Sequence, residues 1–302
     1  MPRGKVTGGS SAINGQVFLR GMPEDYDSWA SLGNDKWSYE KLLPYFRKLE
    51  TDMDYHDDFH GTDGPIIARR FKREEWLPAQ VAFYEACRAD GFADAPDQNH
   101  PDSTGVGPTP LNNPGGIRMS TALGYLDQAR HRLNLTIRAD CLVRRIIFEG
   151  DRASGIDVES GGERFVIEAE QVILSSGAIG SPQLLMLSGI GPADHLRSLG
   201  IPVIHDMPGV GQNLRDHPAA WVTWRTKEGF PLDGLAPRMQ LTLRYTAQDS
   251  DLRNDMKISM QSFATAPVIQ GGNRMEPLGI RMTAGIQLAA GAGELRLTAN
   301  DP

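Results

Sequence analysis

From Leu135 onward the hydrophobic period of this chain changes, and that change constrains its architecture more than any other feature. Residues 135–139, 142–150, 153–160 and 164–170 alternate apolar with polar side chains, and Gly150-Asp151 and Gly161-Gly162 supply turns, so a β-meander is expected. Residues 171–176 follow as a continuous apolar strand, of the kind buried on both faces of a parallel sheet. A helix from Ser181-Pro182 through Ser188, a second from Pro192 to Gly200 and a strand at 201–206 come next. After His217 the alternation returns at 221–224, 241–245, 257–262 and 281–288, which predicts antiparallel sheet.

The first 130 residues are punctuated for helices. Proline-first, glycine-last spacing predicts one from Pro23 to Ala30, closed by Gly33, and one from Pro78 to Asp90, closed by Gly91. Ser38 reads as the N-cap of another, with Leu42, Leu43, Phe46 and Leu49 on one face, and Pro44 inside it predicts a kink or the true first turn. Residues 11–20 read as a short helix or a helix-to-extended transition, and 93–116 as a long loop over a site.

Two glycine-rich segments are candidates for chemistry. Gly4 to Gly21 places Gly8-Gly9 and Ser10-Ser11 before an apolar stretch that carries Asn14. Glycine pairs let a backbone approach a ligand closely, and serines at a helix start leave N–H groups for anionic oxygens. On pattern alone a glycine turn feeding a surface helix is about as good a reading. Gly177 to Gly191 follows the apolar strand with a tight Ser-Gly-Ala turn.

Both segments resemble the signature motifs of the glucose-methanol-choline (GMC) oxidoreductases, as do the blocks DYDSWASLGN, WSYEKLLPYFRKLE, FHGTDGP, STALGYL and PGVGQNLRDHP between and after them. The resemblance covers nearly the whole chain. It implies an FAD enzyme that oxidises alcohols, with an α+β fold: part of a three-layer, Rossmann-like FAD-binding domain (1–30 and 131–217) interleaved with lid and antiparallel substrate-domain parts (31–130 and 218–302). It also implies that Val6, Gly8, Gly9, Ser10 and the Asn14-Gly15-Gln16-Val17 stretch lie along the flavin. Val143 would meet adenine through its backbone, and Ala178 would let a dinucleotide pass closely. Some relatives carry a flavin-linked histidine near Ile13 or Asn14; neither is histidine here, so FAD should be noncovalent.

Family members open with a strand–G-x-G-x-x-G–helix unit that seats the pyrophosphate. None precedes Gly8, and the G-x-G strings at Gly105, Gly189 and Gly209 do not open a helix after a strand. The family's catalytic histidine and its partner would lie beyond Pro302, so no catalytic residue is expected within the chain. The chain resembles an internal slice, expected neither to retain FAD nor to oxidise alcohols by itself. Two alternatives remain open: a noncatalytic half-protein that binds a complementary fragment, and the hydroxynitrile lyase chemistry of some relatives. Choline-dehydrogenase-like and aliphatic or aryl alcohol members are the nearer pattern.

A net charge of −7 argues against nucleic acid as a partner, and the resemblance implies a small-molecule alcohol instead. The pairs Arg69-Arg70 and Arg144-Arg145 are expected to be solvated. Two cysteines, Cys87 and Cys141, form no framework and favour a reducing, cytoplasmic setting. No apolar run approaches the ~18 residues of a membrane span. Seven histidines show no metal-ligand spacing, so a metal site is not expected. His217, in Arg-Asp-His-Pro, invites the role of a base but reads as structural.

Overall fold

The structure, a computed structural model, describes residues 3–264 and 279–302, with the backbone of 268–270 and 273–275. The chain divides into two compact units, Met1–Leu135 with His217–Leu288, and Thr136–Asp216 with Ala289–Pro302. Residues 3–30 thus group with 31–135, a division by contact that differs from the cofactor-based one expected from the resemblance. Both units mix helix with antiparallel sheet, which is the expected α+β class.

The first unit opens with a 3₁₀ turn at Gly9–Ala12, shorter than the helix expected across 11–20. Helix α1 (Pro23–Ser31) starts on its proline, and Gly33 follows it at φ 98°. Helix α2 (Tyr39–Leu49) carries Pro44 in its interior rather than in its first turn. Strands β1 (Glu50–Asp52) and β2 (Ile66–Ala68) pair in parallel. Helix α3 (Pro78–Ala89) matches its predicted start, and the long loop after it contributes the short strand β3 (Gly105–Pro108).

In the second unit β4 (Leu142–Glu149), β5 (Arg152–Ser160) and β6 (Glu163–Glu168) form the expected meander. Residues 171–175 are not a strand, and Ile173 is 86% exposed. A strand exists only by its ladder, and none of the described residues pairs with this run. Helix α4 (Gly177–Leu187) begins four residues before the predicted Ser181. Strands β7 (Ile190–Gly191) and β8 (His205–Asp206) flank helix α5 (Ala193–Ser198), and the core is Met186, Leu187, Leu196, Ile201, Val210 and Leu297.

Back in the first unit, β9 (Ala219–Trp224), β10 (Leu241–Tyr245), β11 (Met256–Gln261), the hairpin β12 (Val268–Gln270) with β13 (Asn273–Met275), and β14 (Ile280–Ile286) complete the chain's strands among the described residues. One antiparallel sheet has the order β3-β10-β11-β14-β9. Alternation puts Val106, Leu241, Leu243 and Met260 on one face, where they pack on Ala79, Phe83 and Cys87 of α3. Burial pushes the Cys87 thiol up to about 11, whereas Cys141 is partly exposed. Only the thiolate is nucleophilic. Iodoacetamide at pH 8 is therefore expected to label Cys141 of the folded protein and spare Cys87, read by peptide mass spectrometry; equal labelling would contradict this burial.

Candidate functional site

The glycine segment is built around positive-φ backbone. Gly8 sits at φ 93° and Gly9 at φ 56°, conformations that side chains with a Cβ adopt at a cost. A Cβ on Gly8 would stand 3.1 Å from Ala122 Cβ, so this glycine is also needed for packing. A Cβ on Gly9 or Gly15 meets nothing within 4 Å, which leaves an open surface there. The Gly9 N–H donates to the Val6 carbonyl (2.8 Å) and closes the turn.

Neighbouring side chains hold this shape. Ser11 Oγ donates to the Gly8 carbonyl (2.5 Å) and accepts the Thr121 N–H (3.0 Å). Asn14 Oδ1 accepts the Gln16 N–H (3.0 Å), an Asx turn that supports Gln16 at φ 63°. Arg118 donates to both the Asn14 carbonyl (2.6 Å) and its Oδ1 (2.8 Å). The Gln16 carbonyl accepts from the Asn112 N–H (2.9 Å), and Val17 bridges to Leu111. Val6, Ser10, Asn14 and Gly15 are exposed, and the structure brings all eight expected residues of this segment into one solvent-facing stretch.

Val143 and Ala178 belong to the other unit. Val143 lies on β4 opposite Val158, at a bulge where the register shifts before Arg145. Ala178 is the second residue of α4, exposed on the rim of a cavity of about 470 Å³ with Pro182, Leu185 and the 209–215 loop.

Sequence reasoning missed the most heavily charged cluster of the first unit. Glu50 and Asp52 of β1 lie with His60 so that one ligand-type atom from each falls within 4.8 Å of the others, all fully buried. Cations already occupy this centre. Arg20 bonds Glu50, and Arg70 grips Asp52 through 2.9 and 2.8 Å contacts and Asp97 at 2.7 Å. His60 Nδ1 meets Asp57 Oδ1 at 2.7 Å, and its Nε2 stands 3.3 Å from Asp97. Burial raises the Glu50 carboxyl above its ordinary range, with Arg20 opposing that shift. The arrangement is an ion-pair network that ties β1 and the loop before β2 to Arg20, Arg70 and Asp97. Arg70, 4% exposed, and Arg144, bonded to Glu159 and Asp301, are therefore paired rather than solvated as expected. The only sequence signal was the FHGTDGP block, which holds His60.

Among the described residues no helix is long and apolar enough to cross a membrane. The GMC oxidoreductase family model matches residues 1–219. A GMC-type oxidoreductase of Rhodococcus erythropolis is 41% identical over 258 residues, 83% of this chain and 52% of that protein. Human mitochondrial choline dehydrogenase is 45% identical over 217 residues, 72% of this chain and 36% of that protein. Pyridoxine 4-oxidase from Mesorbium loti superposes with a TM-score of 0.87 at 27% identity, over 99% of this chain and 59% of its own. The chain thus spans about half or less of the curated relatives' length. On the glycine turn, the meander and these matches together, the chain belongs to the GMC oxidoreductase family.

Proposed function

We propose that this chain is part of an FAD-dependent oxidoreductase acting on the CH–OH group of an alcohol. The observation that carries the reading is the left-handed Gly8-Gly9 turn, in which Gly8 packs on Ala122 and Gly9 leaves open backbone that a side chain would cover. Val6, Gly8, Gly9, Ser10 and Asn14 to Val17 would hold the flavin portion of FAD, and Val143 and Ala178 its adenosine and diphosphate portions. When bound, FAD supplies two-electron acceptance, so that the alcohol leaves as an aldehyde or ketone. Ser11 and Thr121 keep the turn rigid, and Arg118 fixes the Asn14 carboxamide. Ile13 and Asn14 offer no imidazole for a covalent link, so the cofactor is held noncovalently. The proposal assigns no catalytic residue to the chain, and two free cysteines support a cytoplasmic setting. The chain alone is expected to purify without flavin; a stoichiometric flavin spectrum would overturn that part.

The test reads the coding region through both ends and assays the resulting polypeptide anaerobically for bound flavin and its bleaching by alcohols. Bleaching is expected; a colourless protein, or a flavin that no alcohol reduces, overturns the proposal. In the same protein Gly9→Val is expected to weaken flavin binding at least tenfold. The fold should lose only about 1–2 kcal/mol, the strain of one left-handed residue. Unchanged flavin content would remove Gly9 from the site.

A second reading is favoured by β9. All six of its residues are exposed, Trp221, Val222 and Trp224 among them, and it ends the sheet with an edge that no described strand covers. On that reading the chain serves by binding a complementary polypeptide, tested by whether co-expression with the remaining part of a relative gives a soluble complex.

A further inference from the structure

The face of the five-stranded sheet turned away from α3 has a composition that the acidic chain as a whole does not share. By cross-strand register this face carries Gly105 and Gly107 of β3, Thr242 and Arg244 of β10, and Lys257, Ser259 and Gln261 of β11. It continues with Arg281, Thr283 and Gly285 of β14, then Ala219, Trp221 and Thr223 of β9. Three cations and no carboxylate occupy these strand positions; Asp255, just before β11, is buried with its Oδ1 accepting the Ala247 N–H (2.8 Å), and Asp97 and Asp25 act on Arg244. Arg238 adds a fourth cation at the rim, donating to Gln261 Oε1 (3.0 Å).

The cations are not equivalent. Arg244 is buried, and its donors are used on Gln98 and Met22. Arg281 bonds Thr223 Oγ1 (3.0 Å) and lies 5.9 Å from the Trp221 ring centroid. Lys257 is half-buried and makes no hydrogen bond or ion pair with a described residue. Burial and the neighbouring Arg244 both lower its pKa, and no acidic group offsets them. In its row of the sheet the next two residues are Gly285, which is buried with the Gln287 carboxamide 3.4 Å from where a Cβ would stand, and Ala219, which is exposed, so the row beside the ammonium carries no bulky side chain of its own. Trp221, 63% exposed, rises one row away and two strands over, roughly 12 Å at the usual strand spacing and rise.

We propose that this face binds a small organic anion, with Lys257 receiving its carboxylate and Trp221 covering its apolar body. Charge complementarity selects the occupant: an unpartnered ammonium among other cations disfavours a cationic alcohol such as choline and favours an acid. That the acid also carries an alcohol rests on the function proposed above; the anion preference does not.

The experiment is calorimetric titration of the full chain, without flavin, using 4-(hydroxymethyl)benzoate, benzyl alcohol and choline as probes. The carboxylate is expected to bind at least tenfold more tightly than benzyl alcohol, with choline weakest, and to weaken as salt rises. Lys257→Met should erase the difference between carboxylate and benzyl alcohol, and Lys257→Arg should keep it. Circular dichroism checks that both variants fold, and Trp221→Ala, which should weaken both aromatic probes while sparing the carboxylate preference, gives an independent second variant. Equal affinity for the acid and the neutral alcohol, a preference that survives Lys257→Met, or no binding of the carboxylate at millimolar concentration overturns the proposal. Because no turnover is read, failure here is separate from failure of the flavin reading.

Discussion

Replacing Arg70 by methionine is expected to lower the unfolding free energy by about 3–5 kcal/mol, the range for removing one partner of a buried ion pair. Arg70 is 4% exposed and lies over the Tyr55 ring at 4.6 Å. Burial opposes its charge, but Asp97 and Asp52 beside it outweigh that and hold the guanidinium above its ordinary pKa. Methionine keeps most of the volume and removes the cation, so Asp52, Asp54 and Asp97 are left facing one another out of water. Arg197→Met is the control, because its pair with Asp194 is exposed on both sides and worth less than about 1 kcal/mol. Urea denaturation of the three proteins measures the difference. A loss below about 1 kcal/mol for Arg70→Met would mean that the network contributes no more than a surface pair.

Gly61→Ala is expected to cost about 3 kcal/mol or more, the upper range for overpacking, because the added atom meets backbone rather than a movable side chain. Its Cβ would overlap the carbonyl oxygens of Arg47 and Glu50. Gly61 also works in both directions: its carbonyl accepts the Asp52 N–H (2.8 Å), and its N–H donates to Glu50 Oε1 (3.1 Å). Relieving the overlap therefore pulls Glu50 away from Arg20. Gly209→Ala is the matched control, since a Cβ there meets nothing within 4 Å and its φ is not positive; it should stay within about 0.5 kcal/mol. Thermal or urea denaturation decides, and similar behaviour of the two variants would rule out the close approach at Gly61.

The helices and the meander are legible in the sequence because their signals are local. Pro23 and Pro78 each supply a helix-compatible φ at a position whose N–H needs no partner, and Gly33 and Gly91 take the left-handed turn that follows. The alternation from Leu142 to Glu168 needs only its own neighbours to form β4, β5 and β6. Residues 171–175 mislead because apolar character specifies burial and not a ladder partner. The glycine segment is legible as a turn from Gly8-Gly9, but its clamps, Thr121 and Arg118, lie more than a hundred residues away and carry no mark in the sequence. His60 is visible only as part of a motif block, with nothing to show that Asp57 and Asp97 would meet it.

Local sequence was enough to set where most helices and strands form, the antiparallel character of the region after His217, and membership of the GMC family through motifs that span the chain. Which charges meet was left to the long-range fold. Arg20, Glu50, Asp52, His60, Arg70 and Asp97 come from segments spread over almost eighty positions, and Arg244, Lys257 and Arg281 share a face only through the register of three strands. The reason is one of range. Backbone preference and hydrophobic period act over a few residues and can be read in order, whereas an ion pair depends on chain reversals and on a register whose one-residue slip would turn every side chain to the other face.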